Sequence, residues 1–533
     1  MELRIGAQEW LTVTSVVKAI EPGSTIMLHP DTAPRVKASF VYLQDRVSER
    51  IPVYGVNTQF GDQVRMFNNE VHDLTEEEYF ERIRRQQFDL IRSHACGVGP
   101  PVCPDIVRLT MLLRAHCLAK GYSGVHIGCV ELILSFLEKG LTPSVRRYGS
   151  IGASGDLIPL AMIARACIGD PVQVVAQGER TTADKAMKTC GLEPLEVHLR
   201  EGTALVNGTS FMTAIACLAL YRLKHLFDQT VSAIGMALEA LRVVETAYED
   251  LPHKLKNSAY QRKLAERFRD SWNGSELVER HHEYRNRVGT DNRVPDGGAG
   301  LGLQDIYSVR SVCHGLAPFC EALDIAETWI EQEINSVNDN PIVDPEGKDI
   351  YESANFMGYN VAQGCELLTA QVAGCSAWIH ALVGNLLHPR KNKGLPANLS
   401  EDPVRYSGFR PAQLLACSLA VQNRSLAQHF QSFMIPTEGD NQDVNSLGTH
   451  SALNLWDSVE NMYSITSILI LIASQALELR GLDKAGMQGR RCVDQVRGIA
   501  AAMRGNRPLK DDIDAVRLAL ENREILCRKD PQE

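Results

Sequence analysis

Residues 364–387, GCELLTAQVAGCSAWIHALVGNLL, decide the fold. Apolar side chains recur on nearly every side of the ~3.6-residue helical turn instead of along one stripe, and a helix without a polar face has to be buried all round. Stretches at roughly 210–249 and 304–336 read as helices of the same kind, each much longer than an average helix. Three such helices predict a large bundle, or an interface between copies, at the centre of a mostly α protein. Strand-like alternation is rare, VQVVA at 172–176 being its clearest case, and no repeat recurs at a fixed period of about 20–50 residues.

Outward from this core, Thr75-Glu76-Glu77-Glu78 reads as a capping box that opens a helix through YFERIRRQQFDLIRSH, with Tyr79, Ile83 and Leu90 on its apolar side. A further apolar helix is expected to begin near Leu157, and a last one over residues 509–524. SITSILILIASQAL at 464–477 falls short of the ~20 apolar residues that span a bilayer and is broken by Ser and Thr, so it reads as a bundle helix. A boundary near residue 200 divides an N-terminal mixed domain, 1–200, from a long-helix bundle with C-terminal helices, 201–533.

The 533 residues carry 55 Lys+Arg against 65 Asp+Glu, a formal charge of -10, with 44% hydrophobic and 23% charged residues. That is the mix of a well-cored soluble protein and excludes disordered and collagen-like classes. Without a Lys/Arg-rich run there is no electrostatic footprint for nucleic acid or an anionic membrane. The N-terminus, MELRIGAQEWLTVTSVV, lacks the basic, apolar and cleavage regions of a secretory signal. Fourteen cysteines form no C-x-x-C pair and scatter through apolar segments such as AIACLAL and QLLACSLA, the pattern of reduced, buried thiols. A cytoplasmic location is expected.

Fifteen histidines include no H-E-x-x-H and no Cys/His cluster at zinc spacing; His281-His282 are neighbours that point apart on a helix. GGAGLG at 297–302 is only a fragment of a dinucleotide fingerprint, follows no strand and lacks a Walker lysine. Neither a metal nor a nucleotide is expected. The surrounding RVGTDNRVPDGGAGLG at 287–302 combines charge, Pro and Gly and reads as a lid.

The sharper signal is Gly149-Ser150-Ile151-Gly152-Ala153-Ser154-Gly155-Asp156-Leu157. Taken alone it is a Ser/Gly loop before a helix, with Asp156 as N-cap. An Ala-Ser-Gly triplet in a tight turn can also cyclise. The Gly155 amide nitrogen attacks the Ala153 carbonyl, and loss of two waters turns Ser154 into an exocyclic methylidene. Small residues are needed on both sides, because only a compressed turn brings nitrogen and carbonyl into attack distance.

Six more motifs accompany GASGDL at 152–157 in the chain. Before it come Tyr54-Gly55-Val56-Asn57-Thr58-Gln59-Phe60-Gly61 and Ser93-His94-Ala95-Cys96-Gly97-Val98-Gly99. After it come Glu201-Gly202-Thr203-Ala204-Leu205-Val206-Asn207-Gly208-Thr209, Tyr307-Ser308-Val309-Arg310, Asn335-Ser336-Val337-Asn338-Asp339-Asn340-Pro341 and Asn441-Gln442-Asp443-Val444. With these motifs in this order, the chain resembles the aromatic amino acid ammonia-lyase and aminomutase family over about residues 54–481. The resemblance implies a fumarase/aspartase-like helical architecture and a homotetramer whose active sites form from several chains. It also implies a 4-methylideneimidazole-5-one group (MIO), made autocatalytically from Ala153, Ser154 and Gly155. Within that family pattern Tyr54 is the base, in a loop that closes over the substrate, and Arg310 takes the substrate carboxylate. Asn207 contacts the prosthetic group or the carboxylate, while Tyr307, Phe356 and Gln442 line the same pocket. Arg310 has the fork geometry for its task. A tyrosine with an ordinary pKa of ~10 needs its phenolate favoured by neighbours. The reaction implied is elimination of ammonia from an aromatic L-amino acid to an α,β-unsaturated acid. An aminomutase giving a β-amino acid, and a helical scaffold without activity, are the alternatives.

Ser93-His94 stands at the family's selectivity position. A histidine there can hydrogen-bond a phenol or an imidazole, and a site built for a polar ring rejects phenylalanine. Histidine lyases typically carry a glutamate where this chain reads Val421-Gln422-Asn423-Arg424, so the neutral Gln422 favours tyrosine, with histidine next. The family's Pro-Gln is replaced by Cys313-His314, which puts the titratable His314 in the site. Asn355-Phe356-Met357-Gly358 loses a polar residue at Met357, and Gln59 stands where the Tyr54 loop commonly has Gly. Together these departures mark a divergent member of the family.

Overall fold

In the computed structural model the helix announced by Thr75 is α1 (Glu76–His94). Thr75 Oγ1 accepts from the Glu78 N–H at 3.3 Å and the Glu78 carboxylate accepts from the Thr75 N–H at 2.9 Å, so two backbone donors of the first turn satisfy each other's side chains. Tyr79 and Ile83 pack with Leu43, Val47, Val53, Val56, Leu199 and Val343 in one buried cluster, which places the Tyr54 loop on the core. Helix α2 (Leu157–Cys167) also begins where expected. Asp156 holds its N-cap position, but the carboxylate does not cap: it is taken up by Ser150, Thr449 and the Met212 N–H instead. The structure describes residues 1–66, 74–280 and 304–526, so the His281-His282 pair and the lid expected at 287–302 lie outside the described residues.

The long apolar helices are present, with different ends. Helix α3 (Ser210–Ala240) stops nine residues before the expected 249. Arg242, at φ 54°, closes a Schellman motif in which the Val243 N–H reaches the Leu238 carbonyl at 3.2 Å and the Arg242 N–H reaches Glu239 at 2.9 Å. A left-handed arginine leaves no glycine signal in the sequence. The stretch 304–336 is broken into a short turn, α4 (Tyr307–Arg310), and α5 (Val312–Ile334), with Ser311 between them. Helices α6 (Tyr359–Leu387), α7 (Arg410–Leu426) and α8 (Gly448–Arg480) follow, and a last helix covers Lys510–Glu521. Asn355–Leu387 and Gly448–Arg480 are long and apolar enough to cross a membrane, and 50% and 83% of their apolar windows are buried in protein.

Contacts divide the chain into two compact units, and neither is a single stretch. The first comprises Met1–Tyr221, Ala326–Glu366 and His429–Leu453; the second comprises Arg222–Ile325, Leu367–Gln428 and Asn454–Glu533. All strands among the described residues are short and lie in the first unit, in four small sheets. The expected strand is Gln173–Ala176, the centre of a three-stranded sheet between Leu141–Pro143 and Glu179–Thr182. Gln177 and Gly178, both at positive φ, form the tight two-residue turn of its hairpin.

The first unit also buries charge. Asp339 Oδ2 lies 3.0 Å from Arg200 Nη1 and 3.4 Å from Arg114 Nη2, with all three side chains at most 3% exposed. Arg114 Nη1 donates to Asn338 Oδ1 at 3.0 Å. Removing the carboxylate leaves two desolvated guanidiniums without their shared counter-charge. Asp339→Ala is therefore expected to destabilise the fold by about 3–5 kcal/mol, seen as a large drop in thermal midpoint. An unchanged midpoint contradicts the assignment.

Candidate active site

In the first unit the loop before α2 is held from both sides. The Ser446 hydroxyl donates to the Gly152 carbonyl at 3.1 Å and the Leu447 N–H to the Ile151 carbonyl at 3.0 Å. On the other side the Asp156 N–H donates to the Gly208 carbonyl at 2.7 Å. Two of the loop's three glycines, Gly152 and Gly155, are obligatory. A Cβ on Gly152, at φ 68°, would stand 2.3 Å from Ser446 Oγ, and one on Gly155, at φ 71°, would stand 2.2 Å from Gly208 O. Ala153 and Gly155 are buried while Ser154 keeps partial exposure. Asn207 Nδ2 donates to the Ser154 carbonyl at 3.1 Å, and Gln442 Nε2 donates to the Ser154 hydroxyl at 3.1 Å. Asn207 Oδ1 is buried without a partner among the described residues. Thus three of the expected residues, Ser154, Asn207 and Gln442, meet at one point.

Asp156 anchors this arrangement and was visible in the sequence only as a cap. Its buried carboxylate accepts from Ser150 Oγ at 2.7 Å, Thr449 Oγ1 at 2.5 Å and the Met212 N–H at 2.8 Å, joining three distant segments. Burial pushes its carboxyl above the usual range and these donors oppose the shift. Met212 Sδ lies against Gly358, where a Cβ would meet it at 2.6 Å, and this seats the turn Asn355–Met357 that carries the half-buried Phe356.

Tyr54 projects from a loop fixed by side chains. Gly55 O accepts from Gln87 Nε2 at 2.8 Å and Thr203 Oγ1 at 2.9 Å, and Asn57 bridges the Val53 N–H, the Ile51 carbonyl and the Tyr79 hydroxyl. The Gly61 N–H donates to the Tyr54 oxygen at 3.0 Å. Burial pushes the Tyr54 phenol up from its ordinary pKa; the Gly61 N–H works against this, and the charge of Glu438 adds to it. His94 ends α1, and its Nδ1 stands 3.0 Å from the Leu90 carbonyl. With the proton on Nδ1 for that bond, a neutral ring leaves Nε2 as an acceptor. His94 lines a cavity of about 510 Å³ together with Phe60, Arg82, Arg85, Gln86 and Glu438.

In the second unit Tyr307 is 72% exposed and the Arg310 guanidinium stacks on its ring at 4.5 Å. Arg310 Nη1 donates to Gln304 Oε1 at 2.7 Å. His314 is not in that contact. Its Nε2 stands 3.3 Å from Gln261 Nε2, which also reaches His253 Nδ1 at 2.7 Å, and burial lowers the His314 pKa. Gln422 stands on the exposed side of α7. Among the described residues no group of three or more His, Cys, Asp or Glu is placed to hold a metal.

The aromatic amino acid lyase family model matches residues 11–498. A tyrosine 2,3-aminomutase of Chondromyces crocatus is 36% identical, covering 89% of this chain and 88% of its own. A histidine ammonia-lyase of Geobacillus thermodenitrificans is 32% identical over 97% of both chains. The crystal structure of a tyrosine aminomutase from Streptomyces globisporus superposes with a TM-score of 0.90 at 28% identity, covering 98% of this chain and 97% of that one.

One further group near the loop had no signal in the sequence. The Thr209 hydroxyl donates to the Glu333 carboxylate, and burial pushes that carboxyl from 4.5 up to about 7. Between these values the folded chain holds a proton that the unfolded chain releases, so this residue makes stability fall as pH rises from 4.5 to about 7. Glu333→Gln keeps the acceptor and removes the titration. Its thermal midpoint relative to the parent is expected to climb between about pH 5 and pH 8; a constant difference contradicts the burial argument.

Proposed function

From the premise that the chain belongs to the aromatic amino acid lyase family, we propose that it is an ammonia-lyase converting an aromatic L-amino acid to the α,β-unsaturated acid, tyrosine ahead of histidine. The observation that carries the reading is Ser154 held between Asn207 and Gln442 in a loop where Gly155 admits no side chain. These residues fit an MIO group built from Ala153, Ser154 and Gly155: Gly155 sits where no side chain fits, Ala153 and Gly155 are buried, and Asn207 faces the Ser154 carbonyl with a second, unspent polar atom. When formed, that group supplies an electrophilic carbon that makes the substrate amine a good leaving group.

The chain's own residues do the rest. Tyr54 takes the substrate proton, and a substrate ammonium arriving beside it favours the phenolate in the same direction as the Gly61 N–H. Arg310 binds the carboxylate in bidentate fashion, with Tyr307 stacked beneath it. His94 Nε2 accepts from the hydroxyl or N–H of a polar ring, while Phe356 supplies an apolar wall. His314 and Gln422 belong to the reading as selectivity positions that several chains of a homotetramer bring to each site. The exposed Tyr307 and the uncovered half of the α6 apolar window support such an assembly. A cytoplasmic location belongs to the same reading, and the cysteines among the described residues form no disulfide.

A second reading, a tyrosine 2,3-aminomutase, is favoured by the 36% identity to the Chondromyces enzyme. The two differ in whether product leaves before the amine returns. Incubation with L-tyrosine, L-histidine and L-phenylalanine, following ammonia, conjugated acid and β-amino acid, separates them. Ammonia with 4-hydroxycinnamate from tyrosine is expected; β-tyrosine shifts the reading to the mutase, and urocanate shifts the substrate to histidine. Silence on all three contradicts the proposal.

Ser154→Ala is expected to lower turnover by at least about a thousandfold, because the electrophile cannot form; retained turnover overturns the prosthetic-group assignment. Glu438→Gln removes a negative charge that adds to the upward push of burial on the Tyr54 phenol. The limb on which kcat/KM rises with pH is expected to move to lower pH. A profile that stays in place shows that another group is the base.

A further inference from the structure

Arg310 sits on a four-residue helical turn, too short to hold itself, since a single turn fixes several dihedrals for one hydrogen bond. Its conformation is imposed from outside, by neighbours in the same unit. Trp378 Nε1 donates to the Ser308 carbonyl at 2.8 Å, and Asn385 Nδ2 donates to the Ser308 hydroxyl at 2.9 Å. These two side chains lie seven residues apart on α6, two turns along one face. The Tyr248 hydroxyl donates to the Val309 carbonyl, immediately before Arg310. Upstream, the Asp305 carboxylate accepts from the Val244 N–H at 2.7 Å and from Lys393 Nζ at 2.9 Å.

The supports are themselves rigid. Tyr248 is fully buried, edge-on to Phe268 at 5.7 Å and to Trp272 at 5.0 Å. The Trp378 ring lies where a Cβ on Gly315 would stand 2.3 Å away, so the start of α5 rests directly on the indole. Arg310 Nε is buried without a partner among the described residues, while Nη1 is spent on Gln304 and the plane is stacked on Tyr307. The Ser308 and Val309 groups of the turn are therefore held from outside, and one guanidinium donor beside them, Nε, is not used by the described residues.

We propose that Tyr248, Trp378 and Asn385 are positioning residues that pre-set Arg310 for a carboxylate, through the Ser308 and Val309 groups they hold. The inference rests on the reading that Arg310 binds the substrate carboxylate. Its physical content is preorganisation: an arginine on a loose turn must be ordered when the ligand arrives, and that ordering is subtracted from affinity.

Tyr248→Phe is the cleanest variant, because it deletes one hydroxyl and leaves the ring against Phe268 and Trp272. Asn385→Ala is the second, since it removes a different donor to the same turn. In the full-length enzyme each is expected to raise KM by about five- to tenfold, the worth of one hydrogen bond, with kcat within about twofold. The discriminating readout is binding of 4-hydroxycinnamate against its primary amide, which lacks the carboxylate. Both variants are expected to weaken the acid and spare the amide, and Tyr248→Phe in an Arg310→Ala background is expected to cause no further loss. Equal weakening of acid and amide, or additive losses with Arg310→Ala, overturns the positioning role. If Arg310→Ala itself leaves the acid-to-amide preference intact, the carboxylate reading falls and the proposal with it.

Discussion

Two backbones meet where no side chain fits. Gly155 and Gly208 pair across an isolated bridge, the Asp156 N–H reaches the Gly208 carbonyl at 2.7 Å, and a Cβ on Gly155 would overlap that carbonyl at 2.2 Å. The Ala-Ser-Gly loop keeps its shape because of this approach. From Gly208 outward, a Cβ there would stand 2.0 Å from Arg114 Nη1, so the segment bearing Asn207 is wedged between the loop and a buried guanidinium. That guanidinium is in turn balanced by Asp339, which also faces Arg200. A chain of close contacts thus links a buried ion cluster to the Ser154 carbonyl.

Three buried carboxylates tie segments of this unit together, and each has a different environment. Asp156 is surrounded by donors from three separate segments, so it ties the loop, α3 and α8 together while staying desolvated. Asp339 faces two arginines and resolves their excess charge. Glu333 has one hydroxyl donor and titrates near neutrality. At Asp156 and Glu333 hydrogen bonds to the ionised form oppose desolvation, and in both burial outweighs them, so the carboxyl is pushed up. Tyr54 shows the same competition in a phenol, with one N–H donor against burial and a nearby carboxylate.

Much of this was legible from residue patterns. The capping box at Thr75, the apolar runs that became α3, α6 and α8, the strand at 173–176 and the start of α2 after Asp156 all rest on local rules: period, cap and turn chemistry. Seven ordered motifs located the family, which the family match over 11–498 bears out. What stayed hidden depends on partners far along the chain. Arg242 ends α3 in a conformation that sequence ordinarily signals with glycine, and its salt bridge to Glu279 is a tertiary contact. Asp156 looked like a helix cap because its true partners, Met212 and Thr449, are 56 and 293 residues away. The donors that hold the Arg310 turn come from positions 248, 378 and 385, inside segments whose apolar pattern says only that they are buried.

The central claim is that this loop is compressed enough to react with itself. The most direct measurement is the mass of the proteolytic peptide containing residues 149–157 from the purified, untreated protein. The expected peptide is two waters lighter than its sequence requires, with the loss confined to Ala153-Ser154-Gly155 on fragmentation. A peptide of full sequence mass would contradict the account, leaving a family fold whose Gly155–Gly208 contact shapes a loop without chemistry.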